Sequence, residues 1–147
     1  MLAVHMICSL LSYVAFLVAF VFGLAFLAQE RQLKRQTTGI LFHFLPPLET
    51  LDQVNFLALG IGLWLFTVGM GFGLIEWRAQ LGRWWTGDPK EYLAGLLWAL
   101  YFSLWFVRWR STLRGHRVAW LSVLGFSLAL FTLLGASRLV PSLHPTL

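Results

Sequence analysis

From Leu2 to Ala28 the chain carries no charged residue, and only His5, Ser9, Ser12 and Gly23 interrupt an otherwise apolar run. A stretch of this kind exceeds the roughly 20 apolar residues that cross a bilayer. It lacks the basic start and short apolar core of a signal peptide, so it reads as a retained span. Composition extends the point to the whole chain: 59% of its 147 residues are hydrophobic and 12% charged, against about half and about a quarter in a soluble domain. Disorder is excluded, because it requires high charge and few aromatics. The length accommodates an all-α, polytopic membrane helical bundle of about four transmembrane helices and a short interfacial helix, with 1–147 as a single membrane domain.

The spans are expected at about 2–28, 53–75, 92–107 and 118–136. Between the first two, Ile40, Leu41, Phe42, Phe44 and Leu45 precede Pro46 and Pro47 as a compact apolar patch suited to lying at the interface. Glu49 and Asp52 then open the next helix, where its dipole favours acids. The glycines of the second span sit inside a continuous apolar run rather than between a strand and a helix, which argues against a nucleotide-binding loop. Gly69 and Gly73, one turn apart, instead strip bulk from one helix face and invite close packing. A Trp-rich loop, 76–91, follows; its Gly87-Asp88-Pro89 reads as a turn that starts a helix.

A net charge of +5 would point a soluble protein towards nucleic acid, but here it reads as topology and no nucleic-acid partner is expected. Lys and Arg gather on the cytoplasmic side of membrane proteins. With the N-terminus outside, seven cations (Arg31, Lys34, Arg35, Arg108, Arg110, Arg114, Arg117) fall inside and four (Arg78, Arg83, Lys90, Arg138) outside. This orientation puts His5, the Trp-rich loop and His144 on the outer face. Cys8 is the single cysteine, so no internal disulfide forms, and no C-x-x-C-H is present for covalent haem attachment.

Each outer residue has a plain explanation: interfacial hydrogen bonding for a histidine, an aromatic belt for the tryptophans, headgroup contact for the cations. Together they form a combination that suits haem, whose iron takes neutral imidazole and whose propionates attract cations. His5 and His144 could supply the two axial ligands, Trp84 and Trp85 a bed for the ring, and Arg78, Arg83, Lys90 or Arg138 the propionate contacts. Glu76, Asp88 and Glu91 sit at helix ends, where capping and dipole matching account for them. His43 and His116 fall on the inner side and receive no haem role.

The stretch Gly82-Arg-Trp-Trp-Thr-Gly-Asp-Pro-Lys-Glu91, followed by Trp98 and Tyr101, resembles the WWD signature of the cytochrome c assembly family, the CcsA and HemX type of haem-handling membrane protein. His5 with Leu11-Ser-Tyr-Val14 is similar to the start of that family's ligand-bearing helix. Leu27–Lys34, Leu45–Asp52, Arg114–Trp120, Gly125-Phe126 and Phe131–Gly135 carry the resemblance along the chain. The resemblance implies a b-type haem held non-covalently, with His5 and His144 as iron ligands. Trp84, Trp85, Asp88, Pro89 and Lys90 would be the matching loop residues, with Arg83 beside them. It also implies an integral protein of the cytoplasmic (inner) membrane that presents haem to apocytochrome c alongside other cytochrome c assembly membrane proteins. Gly87 stands where the family motif has its second Trp, so one part of the haem platform is missing, and Phe106 stands where a His often lies near the inner end of the third span, which argues against a second, intramembrane haem site. Relatives usually carry further helices before the His5 helix, so the expectation is that this chain has either lost them or depends on a partner to replace them. No nucleophile or acid–base pair marks the chain as a stand-alone enzyme. Two other functions remain open: a HemX-like regulator of haem biosynthesis acting through the inner face, and a degenerate assembly subunit without haem.

Overall fold

The opening apolar run folds as α1, Leu2–Lys34, and the helix continues past Ala28 through its polar end. Glu30 and Lys34 support that last stretch as an i,i+4 ion pair of 3.0 Å. In this computed structural model residues 2–37, 39–84, 87–110, 115–131 and 134 are described. All regular structure among them is helical: α1 is followed by α2 (Ile40–Phe44), α3 (Leu48–Leu81), α4 (Pro89–Arg110) and α5 (His116–Leu130). The short α2 exposes Ile40 and Phe44 almost fully, as suits a segment resting at a membrane surface.

Helix α3 outlasts its apolar run. Gln80 donates to Glu76 at 2.9 Å one turn back, and the helix ends at Gly82, whose φ of 67° lets its N–H reach the Arg78 carbonyl. Residues 76–81 of the expected loop are therefore helical. Helix α4 starts at Pro89, ahead of residue 92, and runs beyond residue 107 to Arg110. The connection between α3 and α4 narrows to 82–88. Part of the expected fourth span, at 132, 133, 135 and 136, lies outside the described residues, as do Arg114 and Arg138.

Helices α1 and α3 are long and apolar enough to cross a bilayer, and only 28% and 33% of their most apolar windows are buried within the protein. That low burial distinguishes them from the core helices of a water-soluble domain. Leu10, Val14 and Val21 on α1 and Leu57, Ile61, Trp64 and Val68 on α3 form exposed apolar ridges. Water would penalise such continuous surface, whereas lipid solvates it. The protein is an all-α membrane helical bundle.

The longest packing runs between α1 and α3, with α5 against α1 and α4 more lightly against α3 and α5. Small residues allow the close approach. A Cβ on Gly62 would lie 2.6 Å from Phe16 Cε1, and Phe16 is itself stacked on Tyr101 with ring centroids 3.9 Å apart. Farther along the bundle, Asn55 Nδ2 donates to the Ala19 carbonyl at 2.6 Å while its Oδ1 accepts from Ser122 at 3.2 Å, joining α3, α1 and α5. In a bilayer such satisfied side-chain hydrogen bonds hold helices in register. Trp98 Nε1 donates to Thr67 at 2.8 Å and ties α4 to α3.

Candidate functional site

His5 lies near the start of α1 and packs against the end of α3 at the two glycines singled out by their spacing. A Cβ on Gly73 would stand 3.0 Å from His5 Cε1, and one on Gly69 would stand 3.1 Å from Ser9 Oγ. The bare face of α3 admits the imidazole, and the Gly69 carbonyl lies 2.6 Å from His5 Nδ1. A carbonyl oxygen only accepts, so Nδ1 carries a proton, and in the neutral tautomer that this bond selects Nε2 is the nitrogen with the lone pair. Metal-binding histidines are prepared in this way, one ring nitrogen held by a backbone carbonyl and the other left to coordinate.

A cleft of about 170 Å³ opens beside this imidazole, lined by His5, Met70, Gly73, Leu74, Trp77, Lys90, Glu91 and Ala94. Helices α1, α3 and α4 each contribute to it. Met70, Gly73, Leu74 and Trp77 follow the i, i+3, i+4, i+7 pattern of one face of α3. Lys90 and Glu91 reach the cleft because the chain turns sharply into α4. Gly87 takes a φ of 81°, Asp88 accepts the Lys90 N–H at 3.0 Å, and Pro89 occupies the first helical position. Glu91 reaches back to the Gly87 N–H at 3.3 Å, much as in a capping box.

The structure thus brings His5 and Lys90 together and gives Asp88 and Pro89 the local task of starting α4. Asp88 is buried, at 6% exposure, and Pro89 is exposed. Trp84 stands outside the cleft, 54% exposed, with the Arg78 guanidinium 4.2 Å above its ring, and Arg83 is exposed nearby. Trp85 and His144 lie outside the described residues. Met70, Trp77 and Glu91 also line the cleft, beyond the expected haem contacts; the helical periodicity of α3 from Gly69 and Gly73 is the signal for Met70 and Trp77, while Glu91, on α4, enters through the turn at Gly87-Asp88-Pro89. Gly87 occupies the left-handed region, so the Trp of the family motif would be strained on this backbone by roughly 1–2 kcal/mol.

The donor set fits haem as a group: an imidazole with an oriented lone pair, an indole and an ammonium at the mouth of one cleft. The cleft is smaller than the roughly 300–1,000 Å³ that encloses a small molecule, so it can serve as one wall of a site rather than as an enclosing pocket.

The opposite end of the bundle is held by charge. Arg108 meets both Asp52 carboxylate oxygens at 2.6 Å, with the Gly115 N–H 3.3 Å from one of them. Glu30 lies between Lys34, at 3.0 Å, and His116 Nδ1, at 2.6 Å. Burial pushes the Glu30 carboxyl upward, but the hydrogen bonds and charges of His116 and Lys34 outweigh it and hold the group below its ordinary value.

A family model described as cytochrome C assembly protein matches residues 1–144. Among curated proteins, the chain is similar to the cytochrome c biogenesis protein CcsA of Guillardia theta, at 33% identity over 66% of this chain and 32% of that protein. It is also similar to the protein of the same name from Prochlorococcus marinus strain MIT 9215, at 28% identity over 97% of this chain and 52% of that protein. The chain therefore spans from about a third to about half the length of these relatives. No solved structure matches it.

Proposed function

The chain belongs to the cytochrome c assembly protein family, and from that membership we propose that it acts in cytochrome c biogenesis as a membrane subunit that holds b-type haem non-covalently and presents it to apocytochrome c. The observation that carries this reading is the His5 imidazole, fixed through Nδ1 by the Gly69 carbonyl and seated on Gly73 in a cleft shared with Trp77 and Lys90.

When bound, haem would supply an iron that takes imidazole nitrogen and two propionates that attract cations. His5 would offer Nε2, with His144 as the second ligand. Trp77 of α3 would give the ring an apolar surface at the cleft, and Trp84 and Trp85 of the connection that follows would meet only the part of the ring that extends beyond it. Lys90, and Arg83 beyond it, would counter propionate charge. Asp88 and Pro89 position Lys90 by fixing the start of α4. The protein would sit in the cytoplasmic membrane with its N-terminus and this cleft outward, an orientation supported by the seven-to-four division of its cations. Other cytochrome c assembly membrane proteins would be its partners, and the exposed aromatic side of α4, with Phe102, Phe106 and Trp109, offers them surface.

A deletion strain tests the role. Loss of covalent haem from c-type cytochromes, with haem b and haem precursors at normal levels, is expected. Unchanged c-type cytochromes, or altered precursors with c-type cytochromes intact, would overturn the proposal, the latter in favour of a regulator of haem synthesis.

A further inference from the structure

At the end of the bundle remote from His5, the last turns of α1 and the start of α5 enclose a groove of about 570 Å³. Its floor is apolar, built by Leu24, Leu27, Ala28 and Trp120, the last 48% exposed. The rim carries Arg31, Lys34 and Arg35 from α1, with Glu30 and His116 facing each other across it. Along α1 these residues follow one helical stripe, which changes from apolar to cationic between Ala28 and Arg31. From Leu24 to Arg35 the stripe is about 16 Å long.

Charge on the rim is unbalanced. Among the described residues Glu30 is the single acid lining the groove, and it already meets Lys34 and His116. Neither Arg31 nor Arg35 makes an ion pair among the described residues. A soluble anion would satisfy these cations but leave the Leu24, Leu27 and Trp120 floor uncovered. A neutral acyl chain would cover the floor but not the cations. A zwitterionic headgroup would bring its own ammonium against them. We propose that this groove binds one anionic phospholipid, its headgroup phosphate on Arg31 and Arg35 and an acyl chain along Leu24, Leu27 and Trp120. Basic pockets between membrane helices recognise acidic headgroups by the same combination of charge and apolar depth. Such a lipid would bridge α1 and α5, and its binding does not depend on His5.

The test uses the full chain in detergent, exchanged against phosphatidylglycerol or phosphatidylcholine, with retained lipid counted by native mass spectrometry. One phosphatidylglycerol per chain is expected to persist in preference to phosphatidylcholine. The double variant Arg31→Gln with Arg35→Gln should weaken phosphatidylglycerol binding about thirtyfold, while Arg78→Gln with Arg83→Gln at the other end leaves it unchanged. If the double variant fails to insert, Arg35→Gln alone should still show about a fivefold loss. Equal retention of the two lipids, or phosphatidylglycerol binding indifferent to Arg31 and Arg35, would overturn the proposal. So would displacement of the lipid by haem with the same arginine dependence.

Discussion

Replacing Gly73 with Ala sets two effects of opposite sign against each other. The new Cβ would lie 3.0 Å from His5 Cε1 and 3.1 Å from Nδ1, so the imidazole must retreat by a few tenths of an ångström. Retreat loosens the 2.6 Å bond to the Gly69 carbonyl, worth about 1 kcal/mol. That bond also orients the proposed iron ligand, and loss of such a supporting contact typically costs about 10–100-fold in affinity. Against this, Ala in place of Gly inside a helix adds about 1 kcal/mol of stability. Gly71 supplies the control, since a Cβ there meets nothing within 4 Å. The expected result of haem titration and thermal melting in detergent is therefore divided. Gly71→Ala melts higher with haem affinity unchanged. Gly73→Ala gains little or no stability and binds haem about 10–100-fold more weakly. Equal haem affinity in the two variants would refute the claim that the Gly73 face positions His5.

Other substitutions probe the frame that carries the site. Gly62→Ala drives a methyl to within 2.6 Å of Phe16, which is backed by Tyr101, and should destabilise the bundle by about 1–3 kcal/mol in thermal denaturation. Asn55→Ala removes the bonds to Ala19 and Ser122 and should cost about 1 kcal/mol by the same measurement. Arg108→Gln leaves the Asp52 carboxylate, 14% exposed, without its bidentate partner, for an expected loss of about 3 kcal/mol, partly recovered by adding Asp52→Asn. Because Glu30 is held below its ordinary value of 4.5, its contribution is complete above that value and disappears as pH falls through the lowered one. Melting curves of the protein should show this acid-side loss, and those of Glu30→Gln should lack it.

Local chemistry made much of this architecture legible in the sequence. The uncharged run from Leu2 to Ala28 dictated α1, Gly69 and Gly73 marked the face that receives it, and Asp88-Pro89 with Glu91 announced the start of α4. The helices outrun the expected spans because hydropathy marks where lipid stops, not where backbone hydrogen bonding stops; the Glu76–Gln80 and Glu30–Lys34 pairs sustain helix beyond it. Contacts between remote positions carried no sequence signal. Asp52 and Arg108 are 56 residues apart, and each alone has an ordinary explanation as a dipole-matching acid or a cytoplasmic cation. The site was legible in part. His5 and Lys90 line one cleft, whereas Trp77 and not Trp84 lines it beside them, and Arg78 lies over Trp84 on the exposed surface. Which indole faces the cleft depends on helical phase through 76–81, a stretch whose polarity reads as loop.

The central claim concerns His5 as a haem ligand, and an absorption spectrum of the detergent-purified protein, oxidised and then reduced, tests it most directly. Wild type is expected to show a Soret band and a reduced spectrum of bis-imidazole haem, with both altered in His5→Ala and abolished when His144→Ala is added. A protein without a Soret band, or one whose band is unchanged in the double variant, would contradict the account.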